Sequence, residues 1–246
     1  MKTKIIILAA GKGTRMGSEL PKVLVPVQGK PMIHYLMEAV MSSAVDSRPV
    51  VVVAPWNKDV ISESLNSYDL DYAIQDQQLG TGHAVACARS FVGDEYDNIL
   101  VLYGDQPFLQ STSIKSFADS EPQPLTVVST LLPDFENWHH NFFHLGRIAR
   151  NDQGKVCGIV EFKDASDQEK EIREINLGFM CFQKNWLFSN IDSLKDNNNA
   201  HEFYLTDMVK IAFQQGHEVK TINVEPREAM GINSKEELAI AEGLVS

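Results

Sequence analysis

The sequence of 246 residues has few cysteines and lacks any long apolar run. Its three cysteines, Cys87, Cys157 and Cys181, lie far apart and form no CxxC pair, which argues against a disulfide framework and against a zinc ribbon. We expect them to be reduced, buried thiols. The apolar run at 5–10 is too short for a signal peptide, and no run approaches the ~18 residues of a membrane span. These absences predict a cytoplasmic protein that does not bind membranes.

Positive charge is also scarce. The chain carries 22 Lys and Arg residues against 33 Asp and Glu residues, which gives a net charge of −11. A surface of this sign repels the phosphates of nucleic acid, so we expect no nucleic-acid partner. An apolar content of 43% with 22% charged residues is that of an ordinary globular protein.

Four apolar runs of strand length alternate with segments of helical period. The runs cover residues 5–10, 50–54, 99–103 and 126–132. Most are apolar on both faces, which is typical of a parallel sheet covered by helices on each side. Helices are predicted after Pro31, at 81–92 and 204–214, and at 234–246 behind a capping box of Ser234 and Glu237. The alternation predicts an α/β fold with a doubly wound, mostly parallel sheet.

Residues 133–182 interrupt this alternation. A polar run at 151–154 that ends in glycine separates two short apolar runs, which indicates a β-hairpin, and residues 175–182 have the composition of a further strand. We interpret the stretch as a small β-rich lid on the main sheet, within a single domain of residues 1–246.

The first predicted strand leads into a glycine-rich segment with two basic residues. Gly11 and Gly13 let the backbone curl so that successive N–H groups face a phosphate, and Arg15 and Lys22 add positive charge. The spacing matches neither a P-loop nor GxGxxG. From the glycines alone, a phosphate site and a solvated surface turn are equally good interpretations.

Two further segments carry polar groups where strands end. Asp105 follows the apolar run at 99–103, which places its carboxylate at the rim of the predicted sheet, where it could bind Mg²⁺. The alternative interpretation is that Asp105 forms an Asx turn in the following loop. We favour the metal only because the basic glycine loop should lie next to Asp105, at the carboxyl ends of the strands. The second segment holds Gln75, whose amide can bind the edge of a nucleobase, and Gly80, which exposes a backbone donor just before a helix. In the alternative interpretation, this is an ordinary helix N-terminus with Thr81 as its cap.

Together these motifs resemble the sugar-1-phosphate nucleotidyltransferases. The segment Leu-Ala-Ala-Gly-Lys-Gly-Thr-Arg-Met at 8–16, with Pro-Lys-Val-Leu at 21–24, looks like the family signature. The runs at 78–84, 158–165, 174–176 and 205–207 narrow the resemblance to the uridylyltransferase half of bifunctional bacterial N-acetylglucosamine-1-phosphate uridylyltransferases. The resemblance implies a Rossmann-like enzyme that uses Mg²⁺ to transfer UMP from UTP to N-acetylglucosamine 1-phosphate. The products are UDP-N-acetylglucosamine, a cell wall precursor, and pyrophosphate.

The resemblance also implies a role for each matching position. Arg15 and Lys22 would be catalytic, since they would hold the triphosphate and then the pyrophosphate. Asp105 and Asn233 would bind Mg²⁺. The nucleotide would contact Leu8, Ala9, Ala10, Gly11, Gly13, Gln75, Gly80, Thr81, Tyr103 and Gly104. The sugar would contact Thr81, Gly146, Glu161 and Asn176.

The sequence departs from the family pattern near the expected sugar site. The lid loop at 133–145 is several residues longer, Leu145 replaces a tyrosine, and the run at 199–204 lacks a glycine. Another sugar 1-phosphate or another nucleoside triphosphate therefore stays an alternative, and a non-catalytic module that binds a UDP-sugar is a second one. The bifunctional relatives continue into a hexapeptide-repeat β-helix with acetyltransferase activity. We expect neither that domain nor acetyl transfer here, and we expect a monomer or a weak oligomer.

Overall fold

The computed structural model describes residues 1–13, 16–120 and 124–244. The strands are β1 (Thr3–Leu8), β2 (Pro26–Val27), β3 (Lys30–Pro31), β4 (Val50–Val53), β5 (Asp71–Ile74), β6 (Asn98–Tyr103), β7 (Leu125–Leu131), β8 (Arg147–Arg150), β9 (Val156–Val160), β10 (Glu174–Gln183) and β11 (Lys220–Asn223). The helices are α1 (Met32–Ser43), α2 (Lys58–Ser64), α3 (Thr81–Cys87), α4 (Ser111–Ala118), α5 (Asp167–Lys170), α6 (Lys184–Asn190), α7 (Asp207–Gln214) and α8 (Lys235–Leu244).

Within these described ranges, one sheet of nine strands organises the molecule. Its main path has the order β11-β7-β10-β6-β1-β4-β5, and β8 and β9 extend from it as a hairpin on β10. Only β10 runs antiparallel to its neighbours on the main path, β6 and β7, while the other neighbouring pairs there are parallel. The predicted doubly wound, mostly parallel α/β fold is therefore confirmed.

The central strands are buried on both faces because consecutive side chains of a strand point to opposite sides. Ile5 and Ile7 belong to one apolar cluster and Ile6 to another, and all three are fully buried. Helices α1 and α4 cover the first cluster, whereas α3, α6 and α7 cover the second. This is the arrangement that apolar runs without alternation predict.

The lid prediction is partly wrong. The hairpin is present, since β8 and β9 pair antiparallel and the Gly154 N–H donates to the Asn151 carbonyl at 2.8 Å. However, β10, which covers the predicted strand at 175–182, is a central strand of the main sheet between β6 and β7. Sequence could not separate these two positions, because β10 is apolar enough for either.

Two predicted helices begin or end differently. The helix predicted at 81–92 ends at Cys87, where the Ala88 N–H donates to the Val85 carbonyl and a 3₁₀ turn follows at Arg89–Phe91. The helix predicted from residue 204 begins at Asp207, because the residues just before it form contacts to other segments. The capping box at Ser234 and Glu237 is confirmed by reciprocal hydrogen bonds of 3.1 and 3.2 Å; the last predicted helical residues, 245–246, lie outside the described ranges.

The three cysteines are free thiols, as predicted, but only Cys181 is buried. Cys87 and Cys157 are half-buried, because one lies at the end of a short helix and the other on the lid hairpin. None of the helices in the described ranges is long and apolar enough to span a membrane.

Candidate active site

The carboxyl ends of β1 and β6 meet in the middle of the sheet. The chain leaves β1 towards β4 and β5 on one side and returns to β6 on the other, so the strand order reverses here. The Gly104 N–H donates to the Leu8 carbonyl at 3.0 Å and so joins the segments that follow the two strands. An added Cβ at Gly104 would lie 2.9 Å from the Val23 side chain, so glycine allows this close contact. Open α/β sheets bind their ligands at such a switch point.

A cavity of about 320 Å³ opens at this point, between the glycine loop after β1 and the start of α3. The predicted nucleotide residues that line it are Leu8, Ala9, Ala10, Gly11, Gln75, Gly80, Thr81 and Tyr103. Gly13 and Gly104 are not part of this lining, but each allows another side chain, Lys22 or Val23, to approach closely. Sequence reasoning missed Gln78, which lines the cavity and donates from Nε2 to the Ala10 carbonyl at 2.7 Å.

Gln75 and Gly80 form part of the wall of this first cavity. Gln75 is buried, and its Nε2 donates to the Gly80 carbonyl at 3.0 Å and lies 3.2 Å from His83 Nδ1. Gly80 has φ of +107°, and an added Cβ would lie 2.7 Å from the Phe203 carbonyl oxygen, so this turn requires glycine. Thr81 is the first residue of α3 and not its cap; its hydroxyl accepts a hydrogen bond from the Leu205 N–H at 3.0 Å.

Lys22, Asp105 and Asn233 converge at the rim of this cavity. The Lys22 ammonium donates to a carboxylate oxygen of Asp105 and to Asn233 Oδ1, the second at 2.6 Å. The side chains of Lys22 and Asp105 are only 12% and 19% exposed, so water screens their charges weakly. Asn233 reaches this position because the neighbouring Ile232 N–H donates to the Asp105 carbonyl at 3.0 Å, and Glu237 accepts from the Asn233 N–H.

The donor set at this rim fits a magnesium ion. The oxygens of Asp105 and Asn233 lie close enough to share one cation, since the single ammonium of Lys22 contacts both. Mg²⁺ prefers oxygen ligands and binds through one or two protein groups, together with phosphate oxygens and water. No group of three or more His, Cys, Asp or Glu residues suited to a metal occurs in the described part of the chain.

A second cavity of about 390 Å³ adjoins the first and includes the predicted sugar residues Thr81, Gly146, Glu161 and Asn176. A register shift in β10 between Asn176 and Met180 shapes this wall. At the shift, Gly178 has φ of +82°, and an added Cβ would lie 2.7 Å from the Tyr103 ring. Asn176 accepts from the Gly178 N–H at 3.1 Å and donates its own N–H to the Gly146 carbonyl at 2.9 Å.

The floor of the second cavity is acidic. Burial raises the pKa of the Glu161 carboxyl, and the nearby carboxylates of Asp207, Asp164 and Glu202 raise it further. The Thr206 hydroxyl opposes this shift because it donates to Glu161 Oε1 at 2.8 Å. Burial likewise raises the pKa of the Asp207 carboxyl. Hydroxyl groups of a ligand are suitable partners for such carboxylates, which accept hydrogen bonds when ionised.

The lid loop at 133–145 is held by a buried arginine that sequence reasoning did not identify as important. The Arg147 side chain is fully buried, and its guanidinium donates to the carbonyls of Phe143, Leu145 and Lys170. It also lies 5.0–5.8 Å from the ring centroids of Phe135, Phe143 and Phe162. The loop held in this way brings Asn141, His144 and Leu145 to the wall of the second cavity.

The structure thus brings together most of the predicted site residues. Lys22 and Asp105 line the first cavity, and Asp105 and Asn233 line the second, so the two cavities meet at Asp105, the ion-pair partner of Lys22. Arg15, predicted to be catalytic, lies outside the described residues. Glu202 lines both cavities and was missed, because nothing in its sequence context distinguishes it from a solvated acid.

A glycine loop at a switch point, an adjoining second cavity and a cation site between them are features of the nucleotidyltransferases. The chain belongs to the family of MobA-like NTP transferase domains, whose model matches residues 5–149. This family assignment agrees with the nucleotidyltransferase resemblance that the glycine loop and the Asp105 segment carry.

The chain is also similar to curated relatives named bifunctional protein GlmU, and it corresponds to their N-terminal half. It is 38% identical to the relative from Caldicellulosiruptor saccharolyticus over 242 residues, which cover 98% of this chain and 51% of the relative. It is 42% identical to the relative from Pelobacter propionicus, over 96% of this chain and 50% of the relative. The relative from Desulfotalea psychrophila is 35% identical, with coverage of 97% and 69%. The chain therefore spans about half the length of most of these relatives.

Among solved structures, the chain is similar to a putative glucose-1-phosphate thymidylyltransferase from Bacillus anthracis. The TM-score is 0.76, with 98% of this chain and 94% of the other covered. The sequence identity is 19%, so this likeness supports the fold alone.

Proposed function

We propose that the chain transfers UMP from UTP to N-acetylglucosamine 1-phosphate and so forms UDP-N-acetylglucosamine and pyrophosphate. The observation that carries this proposal is the meeting of two cavities at Asp105, which forms an ion pair with Lys22 of the first cavity. A nucleotide in the first cavity and a sugar phosphate in the second would bring their phosphates together there. Similarity to GlmU relatives over nearly the whole chain supports the choice of these two substrates.

The proposed reaction is a direct displacement at phosphorus. A phosphate oxygen of the sugar 1-phosphate attacks the α-phosphorus of UTP in line, and pyrophosphate leaves. A phosphate monoester is already a competent nucleophile, so the reaction requires no covalent enzyme intermediate. Catalysis then depends mainly on positioning the reactants and on neutralising negative charge.

Different residues of the chain bind the nucleotide, the phosphates and the sugar. The backbone at Leu8–Gly11 lies against the nucleotide, and Gln75 with Gly80 contacts the uracil edge. Lys22, with Arg15 of the same loop, holds the triphosphate and then the pyrophosphate. Glu161 and Asn176 hydrogen-bond the sugar, with Thr81 and Gly146 beside it.

We further propose that Asp105 and Asn233 hold the metal ion. When bound, Mg²⁺ would neutralise charge on the phosphates during the displacement. The carboxylate of Asp105 and the carboxamide of Asn233 lie close enough for one cation to contact both.

The proposal is tested by pyrophosphate release from UTP and Mg²⁺, with and without N-acetylglucosamine 1-phosphate. We expect release that requires the acetylated sugar and falls sharply with glucosamine 1-phosphate. Omission of Mg²⁺ with EDTA present should abolish it. Absence of pyrophosphate release with N-acetylglucosamine 1-phosphate, under conditions in which the protein binds UTP, would contradict the proposed acceptor.

A second candidate keeps the chemistry and changes the substrate. The lid loop places Asn141, His144 and Leu145 at the wall of the second cavity, so these side chains would help to select the sugar. Initial rates with four nucleoside triphosphates and several sugar 1-phosphates decide between the two candidates. A higher kcat/KM with another sugar phosphate would favour the second.

We also propose that residues 1–246 act as one catalytic domain in the cytoplasm, as a monomer or weak oligomer. The hairpin and the aromatic loop would serve as its sugar-binding lid. Gel filtration coupled to light scattering measures the oligomeric state, and a stable trimer would contradict this part of the proposal.

A further inference from the structure

The Lys22 ammonium lies where the proposed metal ion would bind. It contacts both proposed ligand oxygens, one on Asp105 and one on Asn233, from segments 83 and 211 residues away in the sequence. The backbone of the glycine loop sets its position, since Gly13 has φ of +60° and an added Cβ there would lie 2.5 Å from Lys22 Cβ. The lysine therefore fills the cation position of the free protein.

Two cations cannot use these oxygens together. Mg²⁺ binds oxygen at about 2.0–2.1 Å, and an ammonium needs about 2.7–2.9 Å. A metal ion bound to Asp105 and Asn233 would therefore be in contact with the ammonium as it now lies. Because the side chains of Lys22 and Asp105 are only 12% and 19% exposed, the repulsion between the two cations would be weakly screened.

We infer that Lys22 is an exchangeable internal cation that couples metal binding to nucleotide binding. It occupies the metal ligands in the free protein and moves to the triphosphate when the metal enters. The inference rests on the proposed function, because it takes Asp105 and Asn233 as the metal ligands and a triphosphate as the neighbour.

The coupling follows from the partners that are available. In the nucleotide-free protein, an entering metal displaces the ammonium and leaves it without an anionic partner. With a triphosphate in the first cavity, phosphate oxygens accept hydrogen bonds from the released ammonium and also complete the metal coordination. Metal alone therefore binds weakly, and metal and nucleotide bind cooperatively.

Titration of the nucleotide-free protein with Mn²⁺, with the free ion followed by electron paramagnetic resonance, tests the inference. Lys22→Met keeps the aliphatic stem and removes the charge, so we expect it to bind Mn²⁺ at least about tenfold more tightly than the wild type. The matched control, Lys12→Met, removes the same charge from an exposed position of the same loop. We expect its Mn²⁺ affinity to stay within about threefold of the wild type, because an exposed charge is screened.

Equal Mn²⁺ affinities of the wild type and Lys22→Met overturn the inference, and so does an equal gain in Lys12→Met. Addition of Asp105→Asn to Lys22→Met should remove the gained affinity. If the double variant keeps the higher Mn²⁺ affinity, Asp105 is not a metal ligand, and the proposed metal ligands are wrong. If Lys22→Met shows no gain while pyrophosphate release still requires Asp105, the exchange alone is wrong and the proposed function stands.

A measurement on the wild type covers the case in which Lys22→Met does not fold. Acetylation of the Lys22 amine, quantified by mass spectrometry, should rise when saturating Mn²⁺ is added without nucleotide, because the displaced amine loses both partners. Unchanged labelling at saturating Mn²⁺ overturns the inference.

Discussion

Asp105 lines both cavities, and its ion-pair partner Lys22 lines the first, so both residues are expected to act on the reaction. Removal of one such charge contact typically costs about 10²–10³ in rate. We expect Lys22→Ala and Asp105→Ala each to lose at least about that much kcat/KM while they remain folded. Pyrophosphate release and thermal unfolding measure the two properties. Lys30→Ala, which breaks an ion pair with Glu38 away from the site, is the control. Near-normal turnover of Lys22→Ala or Asp105→Ala would show that the replaced residue does not have the proposed role in catalysis.

Glu161 should make the stability of the protein depend on pH. Its pKa is raised above the ordinary value of 4.5, so the folded state holds this proton more tightly than the unfolded state does. Stability is then lost as the pH rises from 4.5 through the folded pKa. Glu161→Gln cannot ionise, so its stability relative to the wild type should increase over this range.

Urea unfolding of the wild type and Glu161→Gln between pH 4.5 and 8 measures this difference. Glu218→Gln, at an exposed position, is the matched control and should show no such trend. A constant difference between Glu161→Gln and the wild type across this range would contradict the burial effect.

At the scale of single residues, site residues that directly follow an apolar strand can be predicted from the sequence. Site residues whose position depends on partners far away in the sequence cannot. Asp105 and the glycine loop could be predicted because strand ends mark the rim of a parallel sheet. Asn233 was suggested only by the family resemblance, since it reaches Lys22 across 211 residues of sequence. Arg147 carried no local signal, because its burial depends on an aromatic loop whose path the sequence does not reveal.

Among the elements, the lid loop depends most on one side chain. Arg147→Met leaves buried carbonyls without their donor, and a buried unsatisfied acceptor costs about 1–3 kcal/mol. We expect a loss of about 2–3 kcal/mol in the free energy of unfolding. The KM for the sugar phosphate should rise more than the KM for the nucleotide, since the loop forms a wall of the second cavity only.

Arg150→Met is the control for this effect. Arg150 lies on the same strand, but its ion pair with Glu174 is partly exposed, so its loss should cost less than about 1 kcal/mol. Denaturant unfolding and steady-state kinetics compare the two variants. Equal KM increases for both substrates in Arg147→Met would mean that the loop has no specific role at the sugar site.

The elements themselves were largely predictable from periodicity. Apolar runs without alternation identified β1, β4, β6 and β7, and the capping box marked the start of α8. The start of α7 was not predictable, because the residues before it bond to Thr81 and Glu161, which are distant in the sequence. The position of β10 was missed for the same reason: strand order depends on packing between segments and not on local composition.

The lid and the main sheet are one structural unit, because β10 pairs with β6, β7 and β8. We therefore expect a single cooperative unfolding transition for the whole molecule. Trp138 lies in the lid loop and Trp186 lies on α6, so two variants that lack Trp56 and each retain only one of these two tryptophans report on the two regions. Their fluorescence midpoints in urea should coincide with each other and with the loss of helical circular dichroism. A lid transition at lower urea concentration would contradict this expectation.

The antiparallel position of β10 also has a consequence for a nascent chain on the ribosome. β6 and β7 emerge well before β10, which must later enter between them. Until it does, β6 lacks its backbone partner on one side and β7 lacks a partner on both sides, because β11 emerges later still. Such unpaired sides are sites of aggregation. We therefore expect the nascent chain to be most prone to aggregation before β10 and β11 have been synthesised.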